Sequence, residues 1–383
     1  MPTPSLTWSH VAAWRLSQHH LLERADRKKL LNVVNRIGGV QAQVMSAAEL
    51  ALWARVEGLS SAEVQNALWQ KRTLIKTWAM RGTLHLIAAS ELPLYVAARG
   101  AYPIHRTPSY YTYHGVTPAE LEAIIDGLPK TLSDKPMTRE QLADGLAKRA
   151  RKPGLREALL SGWGALLKPS AFRGDICFGP SQGQNVTFVR PSEWARKQAA
   201  KWKPIEPPEA QKEIARLYLT AYGPATTDDF ARWWGLEASQ AKKTFRSLGD
   251  EIEAVEVEGW KAWVLASTLE QMKALKATRS LRRLVRLLPQ FDAYVLGVAR
   301  DCEPLLPKKF KARVYRPQGW VSAVVLVDGR MEGVWDYDQQ RAGAVVIKVE
   351  MFALPSPAVK RGVQAEVRRL GNFLESEVEL TFA

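Results

Sequence analysis

One arrangement of secondary structure, several short helices followed by two strands joined at a turn, is predicted three times along this chain of 383 residues. In the first copy the strand-like runs TLIKTWAM and GTLHLIAA meet at Arg81-Gly82. In the second copy helices precede AFRGDICFG and NVTFVR, and in the third they precede EIEAVEVEGWKAWVLA. Helical spacing, strand alternation and glycines at the turns support each element. A chain with this repeat is expected to fold into three similar units, each made of helices and a two-stranded hairpin.

The last hundred or so residues follow a different pattern. Alternating apolar residues predict strands in GWVSAVVLVDG, RMEGVWDYD and GAVVIKVEMF, a helix in SPAVKRGVQAEVRRLGNFL and a last strand in EVELTF. A small sheet with one helix packed on it is therefore expected. The fold class is α+β, and the predicted boundaries are 1–115, 116–205 and 206–285 for the three units and 286–383 for the C-terminal sheet-plus-helix region.

Three helices followed by a hairpin is the order of elements in a winged helix-turn-helix, whose hairpin flanks a helix that enters a groove of DNA. The chain has a formal net charge of +15, and residues 1–210 hold 28 basic and 17 acidic residues, a net +11. Such an excess favours polyanions through counterion release. Charge alone does not separate a DNA-binding protein from a basic enzyme of another class, but three such units in a basic chain favour nucleic acid.

Several kinds of protein are excluded by what the sequence lacks. It has no apolar run of about 18 residues and no signal-peptide pattern, so we expect a cytoplasmic protein without a membrane partner. Cys177 and Cys302 are too few for a disulfide framework. The motifs GxxxxGK[ST], HExxH and CxxC do not occur, so we expect neither a metal nor a cofactor. No heptad repeat occurs, which predicts a monomer.

The segment GGVQAQVMSAAEL has the most unusual local pattern. Two glycines end a helix, and Gln41 and Gln43 then occupy an extended turn before a helix that we expect Ser46 to cap with Glu49. In an extended segment, residues i and i+2 point the same way, so two amides are offered to one region. Neutral amides can position a water molecule and place carbonyl dipoles near a developing positive charge. The alternative is an ordinary polar turn.

Other polar and aromatic residues are interpreted as structural. The neighbours His19 and His20 point in different directions on a helix, so we expect them at the surface or half-buried rather than as a pair of metal ligands. The 14 tryptophans include Trp233-Trp234 and Trp260/Trp263, which are able to stack on bases but whose spacing is more typical of a core.

With these features the chain resembles the winged-helix DNA glycosylases, a family typified by AlkZ and YcaQ. The resemblance is carried by RIGGVQAQVMSAAELALWARV, TWAMRGTLHLIAASEL, LLPQFDAYVLG and VSAVVLVDGRMEGVW, which are spread over nearly the whole chain. It implies that three tandem winged helices form a C-shaped basic surface for duplex DNA in a bacterial, nucleoid-associated protein. It also implies monofunctional excision of alkylated purines, chiefly cationic N7-alkylguanine, in base excision repair, and in some members unhooking of interstrand crosslinks.

The family's catalytic motif is Q-x-Q in the AlkZ-like branch and Q-x-D in the YcaQ-like branch. The resemblance therefore implies that Gln41 and Gln43 are catalytic and that the chain is similar to the AlkZ-like branch. The absence of the Asp argues against a broad YcaQ-like crosslink activity. In the hairpin region that follows, we predict phosphate contacts from a set of basic side chains, namely Lys71, Arg72, Lys76, Arg81 and His85. The alternative is a hairpin charged only for solubility.

Two rival functions stay open at this stage. One is a non-catalytic winged-helix regulator that reads a DNA sequence, although such proteins usually dimerise. The other is an enzyme of another class whose basic charge is incidental. For the glycosylase, the lack of an aromatic pocket motif favours attack in an open groove over attack on a flipped base.

Overall fold

The computed structural model describes residues 3–100, 105–150, 154–160, 164–275, 284–339 and 345–383. Its helices are α1 (Trp8–Gln18), α2 (Leu30–Arg36), α3 (Met45–Trp53), α4 (Ser61–Gln65), α5 (Leu92–Gly100), α6 (Pro108–His114), α7 (Pro118–Thr131), α8 (Arg139–Ala150), α9 (Leu155–Leu160), α10 (Lys168–Phe172), α11 (Pro191–Trp194), α12 (Arg196–Ala199), α13 (Pro207–Tyr222), α14 (Thr227–Trp234), α15 (Ala238–Leu248), α16 (Ala266–Ala274), α17 (Ala293–Leu296), α18 (Lys311–Val314) and α19 (Pro357–Leu374). Of the predicted strand GAVVIKVEMF, residues 343–344 lie outside the described ranges.

The strands are short except in the C-terminal sheet. They are β1 (Ser5–Leu6), β2 (Ala25–Asp26), β3 (Val40–Gln41), β4 (Val56–Glu57), β5 (Leu74–Trp78), β6 (Leu84–Ala88), β7 (Met137–Thr138), β8 (Cys177–Gln182), β9 (Asn185–Val189), β10 (Ile252–Val257), β11 (Trp260–Leu265), β12 (Val285–Leu288), β13 (Val324–Val327), β14 (Arg330–Gln339), β15 (Val345–Met351) and β16 (Val378–Phe382). The fold is thus mixed α and β, as the sequence predicts.

The chain divides into two compact units. The discontinuous unit is Met1–Val64 with Ala215–Ala383, and the middle unit is Gln65–Ile214. In the first predicted winged-helix copy, helices α1 to α3 fall in the discontinuous unit, whereas the hairpin and helices α5 and α6 fall in the middle unit. This division therefore does not isolate the three winged-helix segments, whose boundaries stay a prediction.

In the discontinuous unit, the predicted third copy has its helices and hairpin in the expected order. Thr226 caps α14 in a capping box with Asp229. Strands β10 and β11 form the antiparallel hairpin, and β1 adds to it in parallel through Ser5 and Leu6. Strand β1 was not predicted, because two residues are too short a run for a periodicity argument.

A five-stranded sheet in the order β12-β13-β14-β15-β16 forms the largest core of the discontinuous unit. Helix α19 packs on it, as predicted for the sheet-plus-helix region, and begins at its N-cap Ser356. Of the predicted strand GWVSAVVLVDG only β13 forms; Gly319 belongs to the 3-10 turn Pro317–Gly319, and Asp328 and Gly329 have positive φ values that end the strand. Leu50 and Trp53 of α3 belong to the same core, so α3 is held against this sheet.

In the middle unit, five strands form a sheet in the order β6-β5-β8-β9-β7. The hairpin β5–β6 pairs Thr77 with His85 and turns through Met80–Gly82, close to the predicted turn. Helices α7 and α8 supply much of the apolar core beside this sheet. The strand AFRGDICFG is only partly correct, because α10 extends to Phe172 and the strand begins at Cys177.

Candidate active site

The two glutamines follow a tight turn whose geometry depends on a glycine. Helix α2 ends at Arg36, and Gly38 has a φ of +72°, a conformation in which an L side chain is strained. A Cβ at Gly38 would lie 2.8 Å from the side chains of both Leu217 and Trp233. The turn before the Gln pair is thus packed directly on α13 and α14, and only glycine fits.

A hydrogen bond from a buried tyrosine fixes the same turn. The hydroxyl of Tyr222 donates to the carbonyl oxygen of Ile37 at 2.7 Å. Tyr222 is almost fully buried, and its ring lies 5.2 Å from that of Tyr218. Because both sides of the turn are held by packed aromatic rings, the segment that leads to Gln41 has little freedom to move.

The environments of the two glutamine side chains differ. Gln41 lies in β3 and is 9% exposed, Ala42 is completely buried, and Gln43 is exposed. Burial thus does not alternate along this segment, and the pair is not equally open to solvent as the i, i+2 argument implied. Gln41 is therefore the amide held inside the protein, and Gln43 is the amide exposed to solvent.

The start of the following helix differs from the prediction. Helix α3 begins at Met45 after the extended N-cap Val44, and no side chain caps it. Ser46 is thus inside the helix, and the predicted capping box with Glu49 is wrong. The carboxylate of Glu49 instead accepts a hydrogen bond from the hydroxyl of Ser61 at 2.9 Å, which ties α3 to α4.

A buried ion pair holds the far end of α3. The guanidinium of Arg55 donates to both carboxylate oxygens of Asp292, at 2.8 and 2.7 Å, and both side chains are completely buried. Arg55 also donates to the carbonyl of Ala51, and Asp292 caps α17 by accepting from the amide of Tyr294. The pair therefore connects α3 with the segment that contains Pro289 and Gln290.

His19 lies beside this ion pair and is completely buried, which corrects the expectation of a surface or half-buried residue. Its Nδ1 is 3.3 Å from Nη2 of Arg55. Burial, and then the neighbouring Arg55, Arg15 and His20, lower the pKa of His19 well below its usual value. The ring is neutral, and Nδ1 is able to accept from the guanidinium.

The tryptophans that were candidates for base stacking fall into two groups. Trp233 and Trp234 are 3% and 2% exposed and belong to the core, as expected from their spacing. Trp260 stacks on Trp8 with ring centroids 5.2 Å apart. Trp263 is 37% exposed and is the one of the four with a large solvent-facing surface.

The basic residues predicted to contact phosphates lie in the middle unit, whereas the Gln pair lies in the discontinuous unit. Lys71 is exposed. The guanidinium of Arg72 lies 3.7 Å from the ring centroid of Trp194 and donates to its carbonyl oxygen. Lys76 is half-buried with its amine 5.6 Å from the ring centroid of Phe178, and burial lowers the pKa of Lys76.

The turn of the hairpin presents Arg81 but not His85. Arg81 is half-buried with a φ of 55°. His85 is 1% exposed, and its Nδ1 donates to the carbonyl oxygen of Thr83 at 3.0 Å. Burial, and then the charge of Arg81, lower the pKa of His85 to about 3. A buried neutral ring is unsuited to a phosphate, which argues against the contact predicted for His85.

Within the described ranges, no group of His, Cys, Asp and Glu side chains is placed to hold a metal ion. Across the same ranges, no helix has the length and apolar character needed to cross a membrane. The residues that sequence reasoning missed are Arg55 and Asp292. The only signal for them was a charged residue inside the otherwise apolar run LLPQFDAYVLG.

Comparisons with known proteins agree with one another. A family model described as "DNA glycosylase AlkZ-like" matches residues 34–373. The chain is 37% identical over 359 residues to an interstrand DNA cross-link repair glycosylase of Streptomyces sahachiroi, covering 93% of this chain and 92% of the relative. It is also similar to the solved structure of Streptomyces sahachiroi DNA glycosylase AlkZ, with a TM-score of 0.87, 34% identity, and coverage of 99% and 100% of the two chains.

Proposed function

Because this chain belongs to the AlkZ-like DNA glycosylase family, we propose that it hydrolyses the N-glycosidic bond of alkylated purines in duplex DNA, with cationic N7-alkylguanine as the substrate. The observation that carries the proposal is the Gln41–Gln43 segment, held by Gly38 and Tyr222, with one amide buried and the other exposed. Unhooking of interstrand crosslinks is proposed as a second activity, since the Streptomyces relative bears that name.

The residue types suit this reaction. N7 alkylation makes guanine a cationic leaving group, so no strong acid is needed to protonate it. What remains is an oxocarbenium-like sugar and a water molecule that attacks its anomeric carbon. Gln43 is assigned to orient that water, and the carbonyl dipole of Gln41 to stabilise the positive sugar. Each group of this kind contributes about 100-fold.

Neutrality is a requirement of the same reaction. A lysine or arginine at the reaction centre would repel both the cationic base and the positive sugar. The sequence places only uncharged residues from Ile37 to Ala48, in agreement with a neutral centre. Charged groups are therefore assigned to the phosphates, away from the bond that breaks.

For the DNA contacts we keep four of the predicted residues, Lys71, Arg72, Lys76 and Arg81. Lys71 is the most direct candidate, because it is exposed, whereas Arg72 is engaged with Trp194 and both Lys76 and Arg81 are half-buried. The segments 1–115, 116–205 and 206–285 are proposed as three winged-helix units that bind duplex DNA. The order of helices and hairpins in each segment supports this division.

Release of free base distinguishes this function from its rivals. The protein is incubated with duplex DNA that contains N7-methylguanine, and free base is separated from DNA and quantified. Release at a single-turnover rate well above spontaneous depurination supports the glycosylase. Sequence-selective binding without release supports the winged-helix regulator, which membership of a glycosylase family does not favour. If the protein neither releases base nor binds DNA selectively, an enzyme of another class remains as the explanation.

A further inference from the structure

A groove of about 1180 Å³ lies in the discontinuous unit beside the helix that follows the Gln pair. Ser46, Ala47 and Leu50 of α3 form part of its lining, and Gln43 precedes Ser46 by three positions. The groove exceeds the roughly 300–1,000 Å³ of pockets that enclose small ligands. It is therefore large enough for part of a polymer, and it lies close in sequence to the proposed catalytic residues.

Three aromatic side chains line the groove. Trp320 is 41% exposed, and its ring lies edge-on to the ring of Phe291 with centroids 5.0 Å apart. Trp335 and half-buried Tyr337 stack with centroids 6.1 Å apart. Exposing part of a tryptophan ring loses hydrophobic stabilisation, and Trp320 is nevertheless held in place by Phe291. An open, fixed aromatic surface of this kind is suited to stacking on a planar group.

The turn that presents Trp320 has a strained backbone. Gln318 has a φ of 58°, and the amide of Arg316 donates to the carbonyl oxygen of Trp320 at 2.9 Å to close the turn. Phe291, whose ring contacts Trp320, also has a φ of 58° and precedes the buried Asp292. Positive φ values at non-glycine residues are uncommon and tend to occur at functional sites. Both strained residues here belong to the contact that holds the exposed ring.

The charges at the groove favour an anionic ligand. Among the lining residues, Arg313 is paired with Glu350. Arg316 and Lys348 are exposed and form no ion pair among the described residues, while Asp336 lies opposite Lys348 in the strand register. The lining side chains thus have a net charge of +1, and two of their three cations, Arg316 and Lys348, form no ion pair among the described residues. This combination is typical of proteins that bind unpaired nucleotides.

We propose that this groove binds single-stranded DNA, with an unpaired base stacked on Trp320 and the adjoining phosphates at Arg316 and Lys348. The inference rests on the proposed function, because it makes the nucleic acid the enzyme's own substrate. Since α3 lines the groove and follows Gln43, the bound nucleotide would be one that is unstacked close to the lesion. The groove would then stabilise an opened duplex while the lesion reacts at the Gln pair.

The test measures binding of two labelled DNAs by fluorescence anisotropy, a short oligothymidylate and a fully paired duplex. Trp320→Ala is expected to weaken oligothymidylate binding about tenfold, the loss of one stacked base, with little change for the duplex. Trp320→Phe is expected to restore part of the affinity. The matched control is Trp263→Ala, because Trp263 is similarly exposed in the same unit but does not line the groove.

A second pair of variants tests the phosphate contacts. The double variant Arg316→Ala/Lys348→Ala is expected to reduce the salt dependence of oligothymidylate binding. The control is the double variant Lys261→Ala/Lys360→Ala, which changes two exposed lysines of the same unit outside the groove and should leave the salt dependence unchanged. Because Arg316 and Lys348 are exposed, replacing them is not expected to prevent folding, so this second test remains valid if Trp320→Ala fails to fold. The inference is overturned if wild type does not bind oligothymidylate, or if both groove variants bind like their controls.

Base release from the N7-methylguanine duplex, measured on the same preparations, separates this inference from the proposed function. If wild type releases base but the groove variants bind oligothymidylate as wild type does, only the proposal for the groove is refuted. Weakened binding in those variants, with no release by wild type, would refute the glycosylase assignment and leave the groove standing.

Discussion

Arg55 and Asp292, which are 237 positions apart, form a completely buried two-point ion pair with N–O distances of 2.8 and 2.7 Å. Arg55 lies two residues after the end of α3. Asp292 caps α17, the short helix that follows Pro289 and Gln290. The pair thus connects the helix that begins beside the Gln pair with the segment that contributes Pro289 and Gln290 to the groove.

Removing one partner of this pair is expected to be costly. Asp292→Ala leaves the Arg55 guanidinium buried without its counter-ion, and we expect a loss of about 3–5 kcal/mol in the free energy of unfolding. Urea denaturation followed by tryptophan fluorescence measures this loss. The control is Glu270→Gln, which breaks the exposed pair with Lys273 and is expected to cost about 1 kcal/mol or less. Equal effects of the two substitutions would contradict the role of the buried pair.

The stability of the protein is expected to fall in mild acid because of buried histidines. The pKa of His85 is lowered to about 3 by burial and by Arg81, whereas an unfolded histidine titrates near 6.5. Because the unfolded ring takes up a proton first, this stabilisation is complete above about pH 6.5 and decreases as the pH falls towards 3. His85→Gln should make the decrease shallower between pH 6.5 and 5 in urea denaturation. An unchanged slope would show that His85 is not buried in neutral form.

Gly38 is expected to be irreplaceable in the turn before the Gln pair. Gly38→Ala adds a methyl group 2.8 Å from Leu217 and Trp233, and overpacking of this kind costs about 1–3 kcal/mol. Gly58→Ala is the matched control, because Gly58 also has a positive φ but open space around its Cβ. We expect both variants to lose stability from backbone strain, and only Gly38→Ala to lose base release at least tenfold beyond that. Similar release by the two would contradict the packing argument.

Duplex binding is expected to depend on salt through the hairpin of the middle unit. Lys71→Ala and Arg81→Gln should each reduce the slope of log K against log salt by about 0.9 if each residue contacts one phosphate. Lys201→Ala, an exposed lysine of the same unit, is expected to leave the slope unchanged. Titrations at several salt concentrations provide the slopes. Slopes equal to that of wild type would mean that the hairpin is charged only for solubility.

Local features of this protein could be predicted from the sequence, and contacts between distant segments could not. Thr226 with Asp229 and Ser356 cap helices as local rules require, and the hairpin β10–β11 turns at Gly259. The burial of His19 and the pairing of Arg55 with Asp292 arise when segments more than 200 residues apart pack together. Periodicity describes one element at a time and contains no information on such partners.

The candidate site shows the same limit. The position of the Gln pair, between the glycines after α2 and the start of α3, follows from the sequence. The different burial of Gln41 and Gln43 does not, because it depends on neighbours from other parts of the chain. The aromatic groove was also missed, since Trp320, Trp335 and Tyr337 meet only where a turn approaches strand β14.

The most direct test of the central claim is the single-turnover rate of N7-methylguanine release by Gln41→Ala and Gln43→Ala. We predict at least a tenfold reduction for each, about 100-fold if each amide contributes fully, with duplex affinity unchanged. Gln271→Ala, an exposed glutamine on α16, serves as the control and should release base like wild type. Rates close to wild type for both Gln41→Ala and Gln43→Ala would contradict the assignment of these residues to catalysis.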